Sequence, residues 1–272
     1  MSSARPEGEQ VAAGAVLPHE TVDGGTGPYM FLVHGMLSSR RNWDPNLERL
    51  RRRVRPVVFD LWGHGGAPAP EDPSAYEVGA LVAALERARE SLGAGRIMLC
   101  GQSFGGGLVL RYAIEHPEHT LGVIVTNSVS ALAPPDLFGS PAERRARAMS
   151  IAAGGREAIE ALPFHPRRAR RIPEHIRIPM SETASNTDPM AVARLTDVAG
   201  GALSVREDLH RIQAPVLITN GVLERAFQPL CNDAAQWIPG CRVVDIEAGH
   251  AVNLENAAAF DDAVDAFLAE IV

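Results

Sequence analysis

Residues 99–108 read LCGQSFGGGL, a serine with a glycine two positions to either side, set between two apolar stretches. The run RIMLC has the length of a strand and FGGGLVLRYAIEH that of a helix, so Ser103 falls on the sharp turn between them. Such a turn holds its central residue in strained backbone geometry and brings the residues two before and two after into close contact, where a Cβ would clash. Gly101 and Gly105 remove that clash. The hydroxyl is then pushed out at the carboxyl end of a sheet and the amino end of a helix, whose free N–H groups and dipole favour developing negative charge. This is a place for a nucleophile, and the N–H of Phe104 comes with the turn as a donor to an oxyanion.

A serine hydroxyl attacks poorly until a base takes its proton, and imidazole titrates near the right pH for that work. Of the nine histidines, His250 stands out. It follows the strand-like CRVVDIEAG and precedes a helical stretch, so it is expected to emerge at the same sheet edge as Ser103.

The elements that must position these groups follow a regular alternation. Short, continuous apolar runs occur at 29–35, 55–63, 96–101, 121–127, 214–221 and 241–249, as expected for parallel strands covered on both faces. Between them lie helix-length segments: Asn42–Arg53, Ser74–Leu92 with Ser74 as the expected N-cap, Phe104–Glu115 ending before Pro117, and Asn253–Ile271 with one apolar stripe. The pattern predicts an open α/β sheet whose sites sit beyond the carboxyl ends of its strands.

From about Leu132 to His210 the rhythm breaks, with helix-like pieces and no convincing strand. Between 141 and 180 there are nine arginines and four glutamates, in a chain whose net charge is −7. Two readings of this insertion stand. It is a solvated helical face, or it is a lid over a pocket in which some of Arg144, Arg145, Arg147, Arg167, Arg168, Arg170 and Arg171 recognise an anionic group.

The chain has 272 residues, 46% of them hydrophobic, enough for a sizeable core in one α/β unit. Its negative net charge gives no global field for nucleic acid or an anionic membrane. Three cysteines make no disulfide framework, and Cys100 reads as a packed core residue. Residues 1–15 lack a signal-peptide apolar segment and their head is expected to be a frayed tail, which predicts a cytoplasmic protein. HPEH at 116–119 has metal-like spacing without a suggested third ligand, no phosphate-cradling glycine loop is present, and GGTGPY at 24–29 reads as a turn between early strands.

With HGM at 34–36, DLWGHG at 60–65, GQSFGG at 101–106, PVLITNG at 215–221 and AGH at 248–250, the chain resembles the α/β-hydrolase superfamily, in its capped serine-hydrolase branch. The resemblance implies a mostly parallel eight-stranded sheet with helices on both faces, a core of 1–131 and 211–272, and a helical cap at 132–210 between strands 6 and 7. It implies the chain order nucleophile, acid, histidine, which Ser103 and His250 fit. The family's acid is usually an aspartate three residues past a glycine, whereas NGVLERAF offers Glu224 after Gly221. Asn127 and Ser128 stand at the other place where relatives keep an acid, and neither is acidic. The backbone N–H of Met36 is implied as the second oxyanion donor, and His34 is expected to shape its loop.

The implied activity is cofactor-free, metal-free serine hydrolysis of a small-molecule ester, thioester or lactone, with Arg167, Arg168, Arg170 and Arg171 as candidate contacts to the substrate. Carbon–carbon bond hydrolysis, perhydrolysis or acyl transfer on the same residues are alternatives, as is a binding protein without turnover. A serine at 103 argues against haloalkane dehalogenases and epoxide hydrolases, which use aspartate there.

Overall fold

The computed structural model describes residues 15–272; the frayed tail expected at the head of the chain lies outside them. Seven strands form one sheet: β1 (His19–Thr21), β2 (Tyr29–Val33), β3 (Arg55–Phe59), β4 (Ile97–Gly101), β5 (Thr120–Val125), β6 (Val216–Gly221) and β7 (Arg242–Ile246). Their order is β1-β3-β2-β4-β5-β6-β7, all parallel except the short β1, which runs antiparallel to β3. Among the described residues the count is one below the eight expected, so the long insertion falls between the fifth and sixth strands. Residues 22–28 make the turn expected from GGTGPY, with Gly24 and Gly27 at positive φ.

Helices α1 (Asp44–Leu50), α2 (Val78–Ser91) and α3 (Phe104–Glu115) connect the early strands. Helix α4 (Val129–Leu132) leads into the insertion, which holds α5 (Pro141–Ala161), α6 (Glu174–Ser185) and α7 (Pro189–Arg194), and α8 (Gln228–Trp237), α9 (Val252–Glu255) and α10 (Ala257–Ile271) complete the chain.

Alternation along the strands sorts the core into two layers. Phe31, Val33, Leu99, Val123 and Ile218 face α2, α3 and α8. Met30, Leu32, Cys100, Ile124 and Leu217 face α1 and α10, where Phe260 and Trp43 meet with ring centroids 6.4 Å apart. Burial on both faces is why the strands read as continuous apolar runs. The register also aligns their carboxyl ends: Val33 pairs with Gly101, Gly101 with Val125, and Gly221 with Ile246. The loops that follow β2, β4, β5, β6 and β7 therefore leave one rim.

Three helix boundaries differ from expectation. Ser74 is not an N-cap; the Asp72 side chain accepts from its N–H at 2.9 Å, nucleating a short 3₁₀ turn, and α2 starts at Val78. The stretch 253–271 is broken at Asn256, whose backbone leaves the helical region (φ −144°, ψ 67°) and whose side chain caps α10. Within 42–53 the α-helix is confined to Asp44–Leu50, preceded by a 3₁₀ turn at Arg40–Trp43.

The insertion has a small apolar core of its own, in which Ile151, Ile159, Ala184 and Val192 enclose Leu37 from the loop after β2. Ile172 packs on Ala251 and Leu254 beside the loop after β7. Two of the rim loops are thus clamped from above.

Phe260 is fully buried, so Phe260→Ala should cost about 3–5 kcal/mol. Chemical denaturation measures this; a loss below about 1 kcal/mol would mean that the α10 face is not packed as described.

Candidate active site

Ser103 sits between β4 and α3 with φ 53° and ψ −117°, a conformation that L residues rarely adopt. A Cβ at Gly101 would lie 2.4 Å from the carbonyl oxygen of Gly105, and one at Gly105 would lie 2.1 Å from that of Val33. The two glycines let β4, α3 and the end of β2 approach closely enough to form the turn. Although Ser103 occupies the N-cap position of α3, its side chain makes no capping bond and its hydroxyl is left without a hydrogen-bond partner among the described residues.

Two neighbours brace the turn. Ser128 Oγ donates to the Ser103 carbonyl at 2.5 Å, and Gln102 Oε1 accepts from the Gly35 N–H at 3.1 Å. The second bond ties the loop after β2 to the serine turn, so closely that a Cβ at Gly35 would come within 2.9 Å of Ser103 Cβ. Met36 follows directly, and Leu37 takes positive φ (55°). Among the described residues, neither the Met36 nor the Phe104 amide donates to a protein acceptor. Both residues line the cavity above Ser103. His34 lies beneath the loop: its Nδ1 is 2.7 Å from the Gly35 carbonyl and its Nε2 accepts from Leu61 N–H at 3.1 Å. Burial lowers its pKa to about 4, so it is neutral at physiological pH.

On the other side, the loops after β6 and β7 are joined. Val222 N–H donates to Ile246 O at 3.1 Å and Leu223 N–H to Ala248 O at 2.9 Å, while a Cβ at Gly221 would lie 2.0 Å from Gly249 O. This pairing brings Glu224 to His250, whose Nδ1 is 2.9 Å from Oε1 and 3.1 Å from Oε2. A carboxylate only accepts, so Nδ1 carries the proton and Nε2 of the neutral ring keeps its lone pair. The glutamate lengthens the reach from a backbone already held against the histidine loop.

Burial pushes the Glu224 carboxyl up, but the hydrogen bond and charge of His250, with a bond from Asn127, hold it below the ordinary glutamate value of 4.5. Asn127 Nδ2 donates to Glu224 Oε2 at 2.7 Å and its Oδ1 accepts from Gly221 N–H at 2.8 Å. At the place where an acid was sought after β5, the chain has a neutral side chain that holds the acid supplied by β6. Glu255 is a further contributor that its sequence position did not reveal: its carboxylate accepts from the amides of Gly249 at 2.6 Å and Ala251 at 3.2 Å, one on each side of His250.

Ser103, His250, Glu224, Met36 and Phe104 line one cavity of about 700 Å³, roofed by the insertion. Of the four cap arginines expected at the substrate, Arg168 and Arg171 line it, and Arg167 and Arg170 do not. Arg167 is turned to Glu160, 3.4 Å away, and Arg170 is exposed. Arg144 and Arg147 of α5 line the cavity as well.

Away from this cavity, the fold supplies the third group that the HPEH spacing lacked, bringing Glu86 beside His116 and His119. That carboxylate already holds the Arg89 guanidinium at 2.6 and 2.8 Å and accepts from Tyr112 at 2.5 Å. Both oxygens of that carboxylate are thereby engaged by protein donors.

The profile of the family described as alpha/beta hydrolase fold matches residues 28–257. The chain belongs to this family. Among curated proteins, it is 25% identical over 250 residues to the putative 2-succinyl-6-hydroxy-2,4-cyclohexadiene-1-carboxylate synthase of Bacillus subtilis, covering 88% of this chain and 89% of that protein. Epoxide hydrolase 4 of Mus musculus is 31% identical over 100 residues, but only 28% of its length is matched. Among solved structures, MenH from S. aureus superposes with a TM-score of 0.81 at 22% identity, over 94% of this chain and 98% of that one. The enol-lactonase from Burkholderia xenovorans LB400 gives 0.77 at 23%, over 93% and 96%. At these identities the superpositions speak for the fold.

The lowered Glu224 carboxyl contributes stability that is present above about pH 4.5 and lost as pH falls through its folded value. The difference in thermal stability between wild type and Glu224→Gln should therefore be larger at neutral pH than in acid. Calorimetry across that range checks it; a difference that is the same in acid as at neutrality would contradict the assigned shift.

Proposed function

We propose that the protein is a serine hydrolase that cleaves a carboxylic ester, thioester or lactone through an acyl-enzyme on Ser103. The observation that carries this reading is the Glu224–His250 hydrogen bond in the same cavity as an uncapped serine hydroxyl on a strained turn. In a binding protein neither the strain nor the free hydroxyl would have a use.

In this reading His250 Nε2 takes the Ser103 proton as Oγ bonds to the acyl carbon, and the carbonyl electron pair moves onto oxygen. The Met36 and Phe104 amides donate to that oxyanion, in a cavity where such bonds are worth more than in water. His250 then gives its proton to the departing alkoxide or thiolate. In the second half His250 takes a proton from water, the hydroxide adds to the acyl carbon, and collapse releases the acid and restores Ser103. Glu224 stays ionised throughout, orienting the ring and stabilising its transient positive charge. Proton transfer requires the hydroxyl within about 2.6–3.2 Å of Nε2 in the substrate complex.

The helical insertion, 132–210, acts as the cap that closes the cavity over a small-molecule substrate and excludes water from it. No step needs a metal or an organic cofactor.

With para-nitrophenyl esters of increasing chain length, Ser103→Ala and His250→Ala should each lose at least about ten-thousandfold in kcat while their melting temperatures stay near that of wild type. Glu224→Gln should lose roughly ten-thousandfold, because the amide can no longer stabilise the imidazolium. Turnover by Ser103→Ala within about tenfold of wild type would overturn the reading.

A further inference from the structure

The cavity is electrically lopsided. Four arginines line it: Arg144 and Arg147 from α5, and Arg168 and Arg171 from the segment between α5 and α6. None of the four is in an ion pair among the described residues. Arg144 donates to the Gly139 carbonyl at 2.7 Å, Arg147 donates to the Phe138 carbonyl, and Arg168 reaches the Ala161 and Leu162 carbonyls at 3.4 Å. Arg171 makes no hydrogen bond or ion pair among the described residues.

Arginines of the insertion that do not line the cavity behave differently. Arg145 pairs with Asp197, Arg156 and Arg167 with Glu160, and Arg177 with Glu174. Among the described residues, Arg170 and Arg194 of this outer set are in no ion pair; Arg170 is exposed, and Arg194 donates to the Pro70 carbonyl. The acids needed to neutralise arginines are therefore present in the insertion, and they are spent on its outside.

Nor do the cavity's own acids compensate. Glu224 is bound by His250 and Asn127, and Glu255 by the Gly249 and Ala251 amides, so both negative groups belong to the floor around the histidine. The Nε of Arg144 is buried and has no hydrogen-bond partner. A desolvated guanidinium donor without an acceptor is costly. The forked donors of arginine match the oxygens of a carboxylate or phosphate. Phe138, Leu195 and Leu203 add apolar surface to the same lining.

We infer that the cavity takes acyl substrates with an anionic group, carboxylate or phosphate, separated by an apolar spacer from the carbonyl presented to Ser103. This rests on the hydrolase reading for the position of the carbonyl, and on the arginines alone for the anion.

The test compares the para-nitrophenyl monoester of glutaric acid, ionised at its far end, with the uncharged para-nitrophenyl pentanoate. Wild type should favour the charged ester by about tenfold or more in kcat/KM, and added salt should lower that ratio. Arg144→Gln and Arg171→Gln should each cut the ratio several-fold. Arg171 has no partner to lose, so its variant keeps the test valid if Arg144→Gln folds poorly. Arg145→Gln, outside the cavity, should leave the ratio unchanged. Competitive inhibition by glutarate against that by propyl phosphate decides which anion is preferred.

A wild-type ratio near one, or a ratio untouched by both cavity variants, overturns the inference while leaving Ser103-dependent hydrolysis intact. If neither ester is cleaved, calorimetry with the uncleavable para-nitroanilide of glutaric acid separates the two claims. Binding that Arg171→Gln weakens upholds the anion site and sinks the hydrolase reading; absence of binding sinks the anion site.

Discussion

The position of the proposed nucleophile depends on forcing the chain to reverse from strand to helix at a single non-glycine residue. Ser103 is held at φ 53° because β4 and α3 are both fixed by packing, leaving no room for a gentler connection. Strain of this sort costs about 1–3 kcal/mol and is offset by the burial of the two elements it joins. The same closeness draws the loop after β2 onto the turn through Gln102, so that Met36 and Phe104 line the same cavity as Ser103. Replacing Gly101 or Gly105 would alter the site without touching any proposed reacting group.

The opposite half of the rim is assembled by backbone pairing. β6 and β7 continue beyond the sheet as two loops bonded to each other, and Glu224 meets His250 because their main chains are already joined. Asn127 and Glu255 then fix the carboxylate and the histidine loop respectively. These contacts give a neutral imidazole one available lone pair, directed by groups that are themselves held. Above them the insertion sets over the same cavity four arginines that are in no ion pair among the described residues, and the proposed substrate spans these two ends.

Much of this was legible in the sequence because it follows from local pattern. Continuous apolar runs gave away strands buried on both faces, and glycine spacing marked the serine turn together with the start of α3 at Phe104. His250 stood out because it follows the strand-like run CRVVDIEAG, and Glu224 was singled out only through the family resemblance, whose acid lies three residues past a glycine. Ser74 misled because Asp72, two residues earlier, competes for its amide and makes a different turn. Asn127 and Glu255 carried no signal of their role, since an asparagine after a strand and a glutamate in a short helix are common. Their partners lie 97 residues away in one case and in the backbone in the other. Which arginines line the cavity was equally hidden: Arg167 and Arg168 are neighbours in sequence, and only the position of Glu160 separates their fates.

The central claim is that His250 activates Ser103 in a preassembled site, and covalent capture of that serine tests it most directly. Wild-type protein treated with a fluorophosphonate at neutral pH should gain one adduct, mapped by peptide mass spectrometry to Ser103. The labelling rate should fall by at least about a hundredfold in His250→Ala. Absence of an adduct on Ser103, or equal labelling of the wild type and His250→Ala, would contradict it.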